Sequence, residues 1–161
     1  MLNTQKQIKT MGAGNAGQIV KGLHSYCMLF HGSAKDDSVS VGCFIQATDT
    51  EGIIKGASNK AIDNKILGVA IKDQYINAND NTTNFKSDDL VTYLTKGVVY
   101  IETKTPAKEG QNVFLKTDDG TLAFDNAETK TGHTFTGFKV KKGTSATIDA
   151  QTGFEIIAII A

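Results

Sequence analysis

Helical periodicity is almost absent from this chain, and that absence limits what it can become more than any single motif does. Apolar residues recur in short alternating runs, broken by Gly, Asp or Asn at intervals of roughly 8 to 12 residues, the rhythm of a sandwich or barrel. "SVSVGCFIQA" alternates through Val39, Val41 and Cys43; "NKILGVAIKD" supplies a strand from Ile66 to Ile71. "SDDLVTYLTKGVVYIET" predicts a hairpin over Leu90–Leu94 and Val98–Ile101, turning at Lys96-Gly97, with Leu90, Leu94, Val98 and Ile101 filling the core. "QNVFLKTDDGTLAF" predicts a second hairpin turning at Asp118-Asp119-Gly120. Sixteen glycines, a single proline (Pro106) and many threonines agree with strands joined by tight turns. Only Ala57 to Lys65 has the pattern for a turn or two of helix. The predicted fold is all-β: one small antiparallel β-barrel or β-sandwich domain of nine or ten strands.

Its boundaries follow from composition. Residues 1–17 are polar, with isolated Leu2, Ile8 and Met11, and read as an extended N-terminal arm that orders on a partner. Residues 18–161 make the β domain, a length sufficient for one buried core. Asp73 to Asp89 is a long polar connection whose large apolar groups are Tyr75, Ile76 and Phe85; such connections usually bind something or move. In the closing run, Phe154, Ile156, Ala158 and Ile160 face one way and Ile157 and Ile159 the other. A strand apolar on both faces needs cover on both, from the middle of the fold or from a second subunit. Ile157, Ile159, Tyr75 and Phe85 are therefore the candidate oligomer contacts.

Charge narrows the function. Seventeen cations balance seventeen anions, and every cation is lysine. Without arginine the chain lacks the bidentate fork used on phosphates and guanine edges, and it has no net basic character; no nucleic-acid partner is expected. No run approaches the roughly 18 to 20 apolar residues of a membrane helix, and the leading residues lack a signal-peptide core. No membrane partner is expected, and the chain is expected to be cytosolic or assembled in the cytosol. Cys27 and Cys43 read as reduced thiols packed as small apolar groups.

Several patterns imitate chemistry. Gly12, Gly14 and Gly17 match G-x-G-x-x-G, with Asp36 and Asp37 near the spacing of a ribose-binding acid. That site needs a buried strand before the glycines and a helix after them. "NTQKQIKTM" makes a poor central strand, and no strand–helix alternation follows. His24, Cys27 and His31 with Cys43 offer four zinc-type ligands but no tight C-x₂-C knuckle. Asp36-Asp37, Asp88-Asp89 and Asp118-Asp119 suit turns better than a calcium loop. His133 has no nucleophile or acid that the sequence pairs with it. No catalytic, cofactor-binding or metal residue is assigned, and the chain is not read as an enzyme.

The succession "GNAGQIVKG", "SVSVGCFIQ", "KILGVAIKDQY", then "SDDLVTYLTKGVVYIETKTPAKEGQNVFLKTDDGTLAF" and the closing "FEIIAII" resembles the structural cement, or head-decoration, proteins of tailed bacteriophages. The likeness runs from about Gly12 onward and departs at Asp73–Asp89. It implies a barrel or sandwich on the outer surface of an expanded capsid in the virion, bridging major capsid protein subunits. It also implies a homo-oligomer, a trimer before a dimer. On this reading Leu2, Ile8, Met11, Gly12, Gly14 and Gly17 belong to a capsid-binding arm. The competing readings are a tail- or surface-associated phage module binding a receptor or glycan, and a nucleotide-binding enzyme on the three glycines.

Overall fold

The computed structural model describes residues 15–20, 27–72, 84–142, 144–148 and 153–161. Ten strands and no helix are found among them. Strands β1 (Met28–Ala34), β2 (Phe44–Ala47), β3 (Ile53–Gly56), β4 (Ile66–Ala70) and β5 (Leu90–Lys96) close a small barrel in the order β1-β3-β2-β4-β5. Strands β6 (Val98–Thr103), β7 (Asn112–Lys116), β8 (Leu122–Asp125), β9 (His133–Val140) and β10 (Glu155–Ile160) form a second sheet, ordered β6-β10-β9-β7-β8. The all-β class and the strand number agree with the sequence. One pair departs from the antiparallel expectation: β1 runs parallel to β3, with Ser33 opposite Ile53 and Ala34 opposite Ile54.

The second predicted hairpin is present: β7 and β8 pair from Leu115–Leu122 to Asn112–Asp125. The first is not. β5 pairs with β1 and β4, whereas β6 pairs with β10, so the chain passes from barrel to sheet at Gly97. With one residue between the strands, there is no room for the two-residue turn that a tight hairpin requires. Gly97 instead exchanges both backbone hydrogen bonds with Ala161, each 3.1 Å. Leu94, Val98 and Ile101 are buried as expected, but Leu90 is 70% exposed.

Strand parity sorts the apolar residues into two joined cores. Inside the barrel lie Ala34, Val39, Cys43, Ile45, Ile54, Ala70, Phe85 and Val91. Between barrel and sheet, Phe44, Ile66, Val69 and Leu94 meet Val99, Ile101, Val113, Leu115, Phe138, Val140, Ile157 and Ile159. Ile157 and Ile159 are essentially inaccessible in the single chain, and Phe85 is buried in the barrel. These three expected oligomer contacts are core residues instead: the two-faced character of β10 is used within the fold.

The segment Ala57–Lys65 is not helical either, because a buried side chain holds it in another shape. Gln46 donates from Nε2 to Gly56 O (3.0 Å) and Ala61 O (2.9 Å), and its Oε1 accepts from Asp63 N (3.1 Å) and Asn64 N (3.2 Å). Those four bonds satisfy a fully buried amide and fix the loop. Gln46→Leu keeps the bulk and strands its partners. The expected loss is about 2–4 kcal/mol in urea unfolding; a loss below about 1 kcal/mol would mean that the loop holds itself.

Candidate functional site

The leading residues are fastened to both halves of the body before β1 begins. Gly17 donates to Tyr100 O (2.8 Å), Tyr100 N donates to Gln18 O (3.0 Å), and Val20 N donates to Val98 O (2.9 Å). Residues 17–20 thus form a strap along the outer edge of β6, with Ile19 opposite Val99. Lys72 N donates to Gly17 O (3.0 Å) from the barrel side. Gly17 has φ +78°, and a Cβ there would collide with the Val41 side chain and approach Gly42 N to 2.8 Å. Asn15 O accepts from Gln18 N (2.9 Å), closing a turn just before the strap.

This placement corrects one sequence expectation: Gly17 is buried in the body and is not part of a free arm. Its N–H is committed to Tyr100 and no helix follows among the described residues, so the geometry that G-x-G-x-x-G needs for a pyrophosphate is missing from its third glycine. Leu2, Ile8, Met11, Gly12, Gly14 and Tyr75 lie outside the described residues.

The zinc constellation is not assembled from its described members. Cys27 is exposed, against expectation, while Cys43 is buried in the barrel core. Burial pushes the Cys43 thiol up, against the opposing hydrogen bond from Ser40 N to Sγ (3.2 Å). His31 Nδ1 shares a 3.0 Å hydrogen bond with Thr92 Oγ1, and His24 lies outside the described residues. Among the described residues, no three His, Cys, Asp or Glu side chains cluster as metal ligands. Asp36 and Asp119 act in turns, Asp36 Oδ1 accepting from Ser38 N (2.9 Å) and Asp119 Oδ1 from Thr121 N (2.9 Å), whereas Asp37 Oδ1 accepts from the distant Ser87 N (3.2 Å). Asp36 is held below the ordinary aspartate range chiefly by Ser38, and Asp119 chiefly by Thr121.

Among the described residues, two of the surface hollows bring polar side chains together. One, of about 460 Å³, is lined by Asp36, Asp37, Gln46, Lys55, Lys60 and Asp63 among others, and its Lys55 and Asp63 are already paired at 2.7 Å. The other, of about 310 Å³, lies where barrel and sheet meet. Its walls are Ile101 to Thr105 on one side and Gly120 to Leu122 on the other, floored by Ser40 to Phe44.

Apolar surface is the remaining feature. On the barrel, Leu29, Phe30 and Leu90 are exposed on the paired strands β1 and β5, and Phe30 stacks on Tyr93 at 6.1 Å. On the sheet, Phe135 and Ile160 lie on the face turned away from the barrel, with Phe154 just before β10; Phe135 also packs on Phe114 at 5.5 Å. Scattered exposed apolar residues are ordinary, but neighbouring aromatics and leucines on adjacent strands mark contact surfaces. The sequence reading took Leu90 as core and Phe154 and Ile160 as one face of the closing strand, and it did not single out Leu29, Phe30 or Phe135. The signal for Phe135 was present: it lies three positions from Phe138 in one strand, so the two rings must face opposite ways.

Comparison with known proteins adds the context that geometry alone lacks. The search of curated proteins gives no match. Among solved structures, a chain from "The capsid of Myoviridae Phage XM1" shares the fold with a TM-score of 0.59 and 12% sequence identity, over 92% of this chain and 89% of that one. A family model described as "Structural cement protein (E217 gp24/Pam3 gp6)" matches residues 3–157. That match spans nearly the whole chain, strap, barrel and sheet together, and the chain belongs to the phage structural cement protein family.

Proposed function

We propose that this capsid-stabilising protein sits on the outer surface of an expanded phage head and ties neighbouring major capsid protein subunits together. The observation that carries this reading is exposed apolar side chains on both halves of the body: Leu29 and Leu90 on one side of the β1–β5 pair with Phe30 on the other, and Phe135, Phe154 and Ile160 on the sheet. One continuous core braces both, so a load taken on one face reaches the other through packed side chains. Cement needs that arrangement and needs no catalyst. Each contact can be modest, because many copies on one shell act together. Association of the copies as a trimer or dimer about a local axis belongs to the same reading, as does assembly in the host cytoplasm.

The test is to mix purified protein with undecorated expanded capsids. Saturable binding and a higher melting temperature of the shell are expected. Leu90→Asp and Phe135→Asp should each weaken binding roughly tenfold or more, because a carboxylate would be desolvated against an apolar partner. Leu90 is 70% exposed, so Leu90→Asp should hardly move the melting temperature of the free protein; Phe135 also packs on Phe114, so Phe135→Asp should lower it somewhat. Absence of saturable binding by the unsubstituted protein would overturn the proposal.

A further inference from the structure

The cleft at the barrel–sheet junction has the form of a strand site. Its two walls start from the two edges of the second sheet, Ile101 and Glu102 of β6 continued by Lys104 and Thr105, and Leu122 of β8 preceded by Gly120 and Thr121. β6 and β8 stand at opposite ends of the strand order, yet the sheet curls until these edges meet. Thr105 Oγ1 donates to Leu122 O at 3.1 Å, bridging the edges at one point. Beside that bridge the cleft runs between Ile101–Lys104 and Gly120–Leu122, over Cys43 and Phe44.

Each wall presents sheet edge. Tyr100 and Val98, alternate residues of β6, bond outward to the strap. Glu102 is the next residue of that parity, and among the described residues no backbone partner is recorded on its outer side. β8 is hydrogen-bonded to β7 alone among the strands. An extended segment here would continue pairing that the strap has begun, with backbone bonds giving affinity and the apolar floor receiving alternate side chains.

The sequence supplies an occupant. Fourteen residues precede Asn15, with Leu2, Ile8 and Met11 as anchors and no Pro to interrupt pairing. Ala16 itself lines the cleft. The Asn15–Gln18 turn, however, takes Asn15 off the line that the strap follows along β6. Fourteen extended residues span roughly 45–50 Å, more than the roughly 40 Å width of a body this size. That length suffices to extend past the body to a second copy.

We infer that the cleft between β6 and β8 accepts the leading segment of a second copy of this chain, so that copies are linked by strand exchange. This link does not rest on the capsid reading and is tested on purified protein without capsids, so either can fail alone.

Two variants are co-expressed with different tags, both carrying Cys27→Ser to remove the exposed thiol. One carries Thr121→Cys in the cleft wall; the other carries Ile8→Cys or, separately, Met11→Cys. Buried Cys43 stays in place. Under mild oxidation, at least one pairing should give a disulfide-linked heterodimer at several times the yield of a control pairing with Lys108→Cys, which lies outside the cleft lining. A heterodimer no more abundant than the control from both pairings would overturn the inference. So would a disulfide formed only within one chain when Thr121→Cys and Ile8→Cys share it.

Discussion

Gly17→Ala is expected to remove roughly 3–5 kcal/mol of stability and lower the melting temperature by about 10 °C. Two costs combine. An L-residue at φ +78° is disfavoured by about 1–2 kcal/mol. The added methyl group must also displace the Val41 side chain and Gly42 N, in a place where Gly42 in turn leaves no space against Ala16. Because Gly17 bonds to Tyr100 of the sheet and to Lys72 beside the barrel, a shift there loosens the strap and its grip on both halves. Gly110 is the control: its φ is +79°, but nothing lies within 4 Å of the position its Cβ would take. Gly110→Ala should therefore carry the conformational cost alone, about 1–2 kcal/mol. Thermal unfolding of both variants separates the terms, and equal losses would mean that the close approach at Gly17 contributes nothing.

Gly17 also shows where sequence reading stops. Composition places it in a polar leading arm, because nothing local distinguishes a glycine in solvent from one wedged between Val41 and Tyr100. Elements defined by period-2 alternation and turn chemistry were legible: the β7–β8 hairpin with its Asp-Asp-Gly turn and the doubly apolar β10. Their information lies within a dozen residues. Partner choice was not legible, because it depends on contacts far apart in the chain. The β1–β5 closure, the parallel β1–β3 pair and the passage at Gly97 all belong to that class.

Leu90 and Leu94 share one face of β5, yet only Leu94 lies under the second sheet; parity cannot say how far a covering layer extends. Ala57–Lys65 was misread for a related reason: Gln46, eleven or more residues upstream, fixes its shape. Small-residue patterns were enough to bring out the cement family. The exposed faces were overlooked because an apolar residue in a strand is read first as core.

The joint between barrel and sheet should be the other costly place to cut. Phe44 from β2 meets Phe138 from β9 edge to face, with ring centroids 5.7 Å apart and planes at 77°, and both side chains are almost inaccessible. Phe44 is braced from behind: its N–H donates to Ser58 Oγ (2.8 Å) and its C=O accepts from Ala57 N (2.8 Å). A ring held so firmly cannot swing to fill a gap, so Phe44→Ala or Phe138→Ala should leave most of its cavity open and cost about 3–5 kcal/mol. That is at least about a fifth of the roughly 5–15 kcal/mol that holds a typical domain. The double variant should lose about 0.5–1.5 kcal/mol less than the sum, since the edge-to-face contact is counted in both singles. Strict additivity in denaturant unfolding would mean that the two halves do not share this contact. The function turns on the same contact. Phe44→Ala leaves Leu90 and Phe135 on the surface, so binding to capsids should persist while the gain in shell melting temperature shrinks, because each apolar face would then be anchored to a body that yields between them.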